Sequence, residues 1–333
     1  MKNIYNLLLI TVACMLLASC NDEWKDEQYV HWVSFKTKLN SQGVAPVYVR
    51  YKPQGKVTYQ LPLIVSGSLV NEKDLTVHVG MFSDTLTNLN VERFGGRTEL
   101  YYKELDAKHF DFPATVNIPA GESTSLLPID FSLDGLNMVD KWMLPITILH
   151  DPSYNYDANL RRHYSKALLR IFPFNDYSGN YSATTYKVYF KGSESEAIVP
   201  EYKMAYVVDD KTVFFYAGLI DEENLDRKHY KVFFEFTDDA VDPYTNKLKI
   251  YTDNDQMNLI VVGQPTYEME EKMDDTKPYL KIINVILNIE YTYQDYTTVP
   301  GYIMDYVVKG TLIMERRIDT RMPDEDQAIE WDN

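Results

Sequence analysis

Cysteine is almost missing from this chain: Cys14 and Cys20 are the two found in 333 residues. Both fall within the first twenty positions, so the rest of the chain has no disulfide, no cysteine-based metal site and no thiol nucleophile. Its domains must be held by core packing, and the length suffices for about two by the usual ~150-residue measure. Blocks of Lys or Arg are missing too. With a formal net charge of −16, the surface repels nucleic acid and anionic headgroups, which excludes nucleic acid as a partner. No apolar run reaches the ~20 residues that a membrane-spanning helix needs.

Catalytic and cofactor signatures are equally scarce. There is no GxGxxG, P-loop, HExxH or GxSxG, and "GESTS" at 121–125 lacks the second glycine. The 6 His are scattered without metal-ligand spacing, and His78 in "TVHV" reads as a packed strand residue. "DNDQMN" from Asp253 opens like a calcium loop. It lacks glycine at the sixth position and an oxygen ligand at the fifth, so it reads as an acidic hairpin turn. The expectation is no metal, no cofactor and no enzymatic activity. The alternative within this composition is a glycoside hydrolase, since 49 Asp plus Glu could supply a carboxylate pair at the required ~5 to 9.5 Å; no position singles one out.

What is present begins at the N-terminus. Lys2 gives a positive start, residues 7–17 an uncharged apolar stretch, and Ala18 and Ser19 the small residues of a cleavage site. Leu17-Ala18-Ser19-Cys20 looks like a bacterial lipobox. Residues 1–19 then read as a lipoprotein signal peptide and Cys20 as the lipidated residue. Residues 20–29, rich in Asp, Glu and Lys, read as a charged tether, and the lipid is the sole expected membrane contact.

From residue 30 to 173, runs such as "APVYVRY", "KVTYQLPLIVSG", "DLTVHVGMF" and "WMLPITIL" alternate with turn signals and predict an Ig-like β-sandwich. In the second of these, Val57, Tyr59, Leu61, Leu63 and Val65 share one face. Pro62, Pro128 and Pro145 cannot donate to a ladder and should sit at edges, bulges or strand starts. "NLNVERFGGRTELYYKELDAKHF" breaks the alternation and reads as a long connection with a helical turn. "FPFNDYSGNY" marks a boundary, after which residues 174–318 predict an antiparallel meander closed as a barrel or folded as a sandwich. The fold class is therefore all-β. Residues 319–333 lose period and read as a mobile acidic tail.

The chain has 27 Tyr. Where they interleave with acids in turn-rich stretches, exposed rings and neighbouring oxygens suit carbohydrate, whose faces are rich in C–H and whose rims are polar. The site expected from "EYTYQDYTTVPGY" comprises Tyr291 and Tyr293 on one strand face, with Asp295 and Tyr296 in the following loop. Tyr154 and Tyr156 in "DPSYNYDANL" are the alternative.

"YQLPLIVSG", "VNIPAGESTSLLPIDFSLDGL" and "KWMLPITI", with the turn at 118–121 and the strand at 144–148, resemble the N-terminal domain of Bacteroidota outer-membrane lipoproteins. "SGNY", "VFFYAG" and "DYVVKGTLIMERR" resemble the β-domain that commonly follows it. The resemblance covers about residues 30–318. It implies a gene neighbourhood of starch-utilisation-type importers, a role as a surface glycan-binding protein, and outer-membrane importer proteins as partners. Asp22 and Glu23 resemble the acidic surface-export signal of that phylum, which implies an outer-membrane location facing the exterior. A structural or adhesive surface role is the remaining alternative.

Overall fold

A computed structural model describes residues 27, 29–161, 163–193, 195–328 and 331. The signal peptide, Cys20 and Asp22 and Glu23 lie outside the described residues. Glu27, expected to belong to a solvated tether, is instead tied down: its carboxylate accepts from the Ser68 and Leu69 amides at 2.7 and 2.8 Å and contacts the His31 ring.

The first half contains β1 (Trp32–Phe35), β2 (Ala45–Arg50), β3 (Lys56–Val65) and β4 (Leu75–Met81). Helix α1 (Ser83–Phe94) follows, then β5 (Tyr102–Glu104), β6 (Phe110–Asp111), β7 (Thr115–Ile118) and β8 (Thr124–Ser132). Strands β9 (Lys141–Ile148), β10 (Asp157–Ala158) and β11 (Lys166–Phe174) complete it. One sheet runs β10-β1-β3-β8-β6 and the other β2-β11-β9-β4-β7, with β5 against β9. The dry layer between them takes Leu61, Leu63, Leu127 and Ile129 from the first sheet and Val47, Val77, Ile146 and Leu169 from the second. This is the sandwich that alternation predicts. Apolar side chains at period two leave each sheet one face to bury, and the two faces bury each other.

The prolines occupy a more specific place than an outer edge. β3, β8 and β9 are interior strands, but Pro62, Pro128 and Pro145 each lie where a short neighbour stops. β1 reaches only to Leu63 of β3, β6 only to Asp130 of β8, and β4 only to Ile146 of β9. A missing N–H there breaks no rung. The connection expected to hold a helical turn is a larger correction. α1 has 12 residues, and Leu86, Asn90 and Phe94 recur at i, i+4 and i+8 on the face that packs over Met143 and Leu168.

The second half is an up-and-down antiparallel barrel. Its strands are β12 (Gly179–Ser182), β13 (Lys187–Phe190), β14 (Tyr202–Val207), β15 (Thr212–Tyr216) and β16 (Lys231–Ala240). They continue with β17 (Thr245–Tyr251), β18 (Ile260–Val261), β19 (Thr266–Met273), β20 (Leu280–Asp295) and β21 (Met304–Asp319). The order β12-β14-β15-β16-β17-β19-β20-β21 returns to β12 through the Ser182–Ile313 pair, so the ring closes. β13 and β18 attach to β21 and β20. Inward positions of β20 are filled by Val285, Leu287, Ile289, Tyr291 and Tyr293, and facing strands supply Phe215, Phe234 and Leu312. The interior is a packed core.

The C-terminal segment is also corrected. It carries a short helix, α2 (Asp324–Gln327), and Asp324 pairs with Arg50. Trp331 packs edge-on against Phe174 at 5.6 Å and donates to the Arg317 carbonyl at 2.8 Å. The ring, the ion pair and the Gln327 hydrogen bonds to Asp319 together dock a segment that has no period of its own.

Candidate functional site

Alternation places Tyr291 and Tyr293 on one face of β20, but that face looks into the barrel. They are 1% and 3% exposed, so neither can serve as the expected stacking platform. The Tyr291 hydroxyl lies 2.8 Å from that of Tyr186, and the Tyr293 ring stacks on Tyr306 at 5.2 Å. Asp295 ends β20 instead of lying in the loop. It accepts from the Tyr230 hydroxyl at 2.7 Å and from the Thr297 and Thr298 amides. Burial works to raise its carboxyl, but these hydrogen bonds outweigh it and hold the group below its usual range. The Tyr296 hydroxyl accepts from the Asn254 amide at 2.8 Å. These groups staple the loop to the barrel rim. The alternative pair is tied into the fold in part: half-buried Tyr154 stacks on His78 at 4.0 Å, and Tyr156 donates to the Leu149 carbonyl at 2.7 Å while lining a separate cleft of about 390 Å³ with Asn155 and Asp157.

Another arrangement that can hold a ligand lies between the two domains. β2 and β11 pair in parallel, with Phe172 beside Tyr48. Val47, Val49, Leu169 and Ile171 point into the sandwich, so Tyr48, Arg170 and Phe172 must point out. The Tyr48 and Phe172 rings stack at 5.2 Å and 15°. The same alternation on β14 buries Lys203, Ala205 and Val207 and turns Tyr202, Met204 and Tyr206 toward the sandwich. The turn after β15 brings Asp221 and Glu222 to one end. A cleft of about 380 Å³ results, walled by rings and floored by charge.

Its charges are matched. Arg170 donates to Glu222 at 2.8 Å, and Lys141 donates to Glu223 at 2.9 Å. Burial acts to raise the Glu222 carboxyl, yet the Arg170 and Lys141 charges prevail and keep it ionised, below the usual carboxylate range. The Tyr206 hydroxyl sits 3.4 Å from the same carboxylate. Arg227 donates to the Glu99 and Val139 carbonyls of the sandwich, so the segment between β15 and β16 straps one domain to the other.

Lys203 closes the inner end. Its ammonium donates to the Gly218 and Ile220 carbonyls at 2.9 and 2.7 Å. Burial disfavours its charge and brings the pKa down from 10.5 to about 7, against a small opposing pull from Asp221. Between these two values the unfolded chain holds a proton that the folded chain does not. Raising pH through that window therefore stabilises the fold, with a slope approaching about 1.4 kcal/mol per pH unit. Urea unfolding of wild type and Lys203→Met from pH 7 to 9.5 checks this. The wild type should gain on the variant as pH rises, and parallel curves would show that the amine titrates normally.

Sequence reasoning missed the cleft because its residues are scattered from 48 to 222. The available signal was a set of outward aromatics, Tyr48 in "PVYVR", Phe172 in "RIFPF" and Tyr206 in "MAYVV", on strands near the boundary between the halves.

Comparison with known proteins places the chain. A family described as a domain of unknown function, DUF4973, matches residues 24–152, and a family described as a C-terminal domain matches residues 165–313. A protein of unknown function from Bacteroides ovatus is 40% identical, with a TM-score of 0.82, over 94% of this chain and 99% of its own. A multidomain protein including DUF1735 from the same species is 42% identical, with a TM-score of 0.77, over 89% of this chain and 98% of its own. An auxiliary nutrient binding protein from Bacteroides thetaiotaomicron is 38% identical, with a TM-score of 0.76, over 91% of this chain and 100% of its own. No curated protein matches the chain. The chain belongs to the family of Bacteroides proteins that these structures represent, with a DUF4973 domain matching residues 24–152.

Proposed function

We propose that the protein captures glycan without cleaving it, in the cleft between sandwich and barrel, and presents it to an outer-membrane importer. The observation that carries this reading is the stacked Tyr48–Phe172 pair beside the hydrogen-bonding groups of Glu222, Tyr206 and Arg170, whose guanidinium lies 4.4 Å over the Phe172 ring. Flat apolar rings beside fixed donors and acceptors match a sugar ring, and side chains held on paired strands lose little freedom on binding. The relative described as an auxiliary nutrient binding protein supports the same direction. In this reading Cys20 carries the lipid and the protein faces outward from the outer membrane. Many weak sites on one membrane would then hold a polymer multivalently.

The test is a glycan array on the soluble ectodomain, followed by calorimetry with the glycans it returns. Phe172→Ala and Tyr48→Ala should each weaken binding by about 1 kcal/mol, and the double variant by more. Both singles should keep a cooperative melt with a modest loss of stability, since the rings are half-buried between the domains. Unchanged affinity in both would remove the cleft as the site. Release of shorter products would overturn the non-catalytic reading.

A further inference from the structure

The reading of the cleft as a glycan site leaves the class of glycan open, and the charge arrangement narrows it. Two basic and two acidic side chains line the cleft: Arg170 and Lys203, Asp221 and Glu222. Each base is already engaged. Arg170 donates to Glu222 at 2.8 Å, and the Lys203 ammonium donates to the Gly218 and Ile220 carbonyls. Just beyond, Lys141 is engaged with Glu223. Asp221, by contrast, is exposed at the mouth. The whole chain carries a formal charge of −16, so the approach to the cleft lies in a negative field.

Resting on that reading, we infer that the cleft selects uncharged, hydroxyl-rich oligosaccharides and rejects uronate or sulfated ones, with the Arg170–Glu222 pair as the gate. A carboxylate or sulfate entering the cleft would have to displace Glu222 from Arg170 while standing close to Asp221. Two negative charges within a few ångströms in a partly buried space repel each other far more than they do in water. A neutral sugar meets no such opposition. Its hydroxyls can accept from the guanidinium and donate to the carboxylate together, so the ion pair remains intact while it binds. Acceptor and donor lie side by side, an arrangement suited to a vicinal diol.

The pair also predicts how the preference inverts. Glu222→Gln keeps the shape and a hydrogen-bonding end but removes the charge that neutralises Arg170. The guanidinium is then free to take an acidic ligand, as arginine commonly does.

The experiment is calorimetry on the lipid-free full ectodomain with two sets of probes at matched length. One set is neutral hexasaccharides of glucan, mannan, galactan and xylan; the other is hexagalacturonate and a heparin hexasaccharide. The expected result is binding of at least one neutral probe, with every acidic probe at least tenfold weaker. Glu222→Gln should reduce that ratio at least tenfold, mainly through tighter binding of the acidic set, and added salt should weaken this new binding. Acidic probes that bind the wild type as tightly as neutral ones would overturn the charge selection while leaving glycan capture intact. A neutral preference that persists unchanged in Glu222→Gln would remove the pair as its cause and so overturn the inference. No binding by any probe would overturn capture in the cleft, and the selection with it.

Discussion

Gly310→Ala is expected to destabilise the barrel by about 3 to 5 kcal/mol, among the larger effects a single methyl can have. Gly310 has φ +137, a backbone conformation that L side chains rarely adopt. A Cβ there would lie 2.0 Å from the Thr185 carbonyl oxygen and 3.1 Å from the Tyr186 Cα. Both obstacles are backbone, so no rotamer change relieves them. Residues 183–186 cross directly over β21 at this point, closed by the Tyr186 amide donating to the Ala183 carbonyl at 2.9 Å. The crossing delivers the Tyr186 ring into the barrel, where its hydroxyl meets that of Tyr291. The variant must lift the turn, and the buried hydroxyl pair separates with it. A thermal melt should fall by about 4 to 7 °C for a chain of this size. Gly301→Ala is the control: its φ is +84, but no heavy atom lies within 4 Å of the new Cβ, so it should lose only about 1 kcal/mol. Similar melts for the two variants would mean that the crossing is looser than described.

The second large effect is expected at Arg316, which is 2% exposed on β21. Its guanidinium donates to the Asn175 carbonyl at 2.9 Å and the Ser178 carbonyl at 2.5 Å, and lies 4.4 Å from the Trp331 ring centre. One side chain thus holds the turn between β11 and β12 and the docked C-terminal segment. Arg316→Ala leaves two buried carbonyls without these donors and opens a void beneath the indole, a loss of about 3 kcal/mol. Arg316→Lys keeps the charge but has no planar fork to span both carbonyls, so it should recover only part of it. Urea unfolding gives the magnitude. Limited proteolysis adds a separate readout: cleavage near residues 175–178 should be faster in the alanine variant. A loss under 0.5 kcal/mol with unchanged cleavage would show that the turn holds without its clamp.

Much of the architecture was legible because period-two patterning is a direct physical demand of a sheet with one buried face. In β3, Val57, Leu61 and Leu63 are buried as the alternation requires, with Tyr59 and Val65 partly so. All-β sheets and an antiparallel meander follow from the same signal repeated, whereas its closure into a barrel rests on the Ser182–Ile313 pair. The candidate site was not legible in that way. Alternation tells which side chains share a face and is silent on whether that face meets water or the far wall of a barrel. Tyr291 and Tyr293 were placed on the correct common face, and that face was the dry one. The helix over 83–94 was underestimated because its apolar face consists of Leu86 and Phe94 with Asn90 between them, too few to register as a period. Trp331 carried no pattern at all. The cleft needs Tyr48, Arg170, Tyr206 and Glu222 together, and only the joining of two domains makes them neighbours.

The strand that joins those domains also sets how the molecule bears tension. β11 runs through the sandwich with six register pairs to β2 and five to β9, then passes by a short turn into the first barrel strand. If a polymer is gripped between the domains, as proposed, drag by flow would pull the barrel away from the sandwich along this strand. Force in that direction acts parallel to β11 and across its hydrogen bonds, so the rungs on both sides are sheared at once instead of peeled one after another. The same β11 positions that present Arg170 and Phe172 to the cleft would therefore lie on the segment that carries the load, so the proposed grip and its load path would share one piece of backbone.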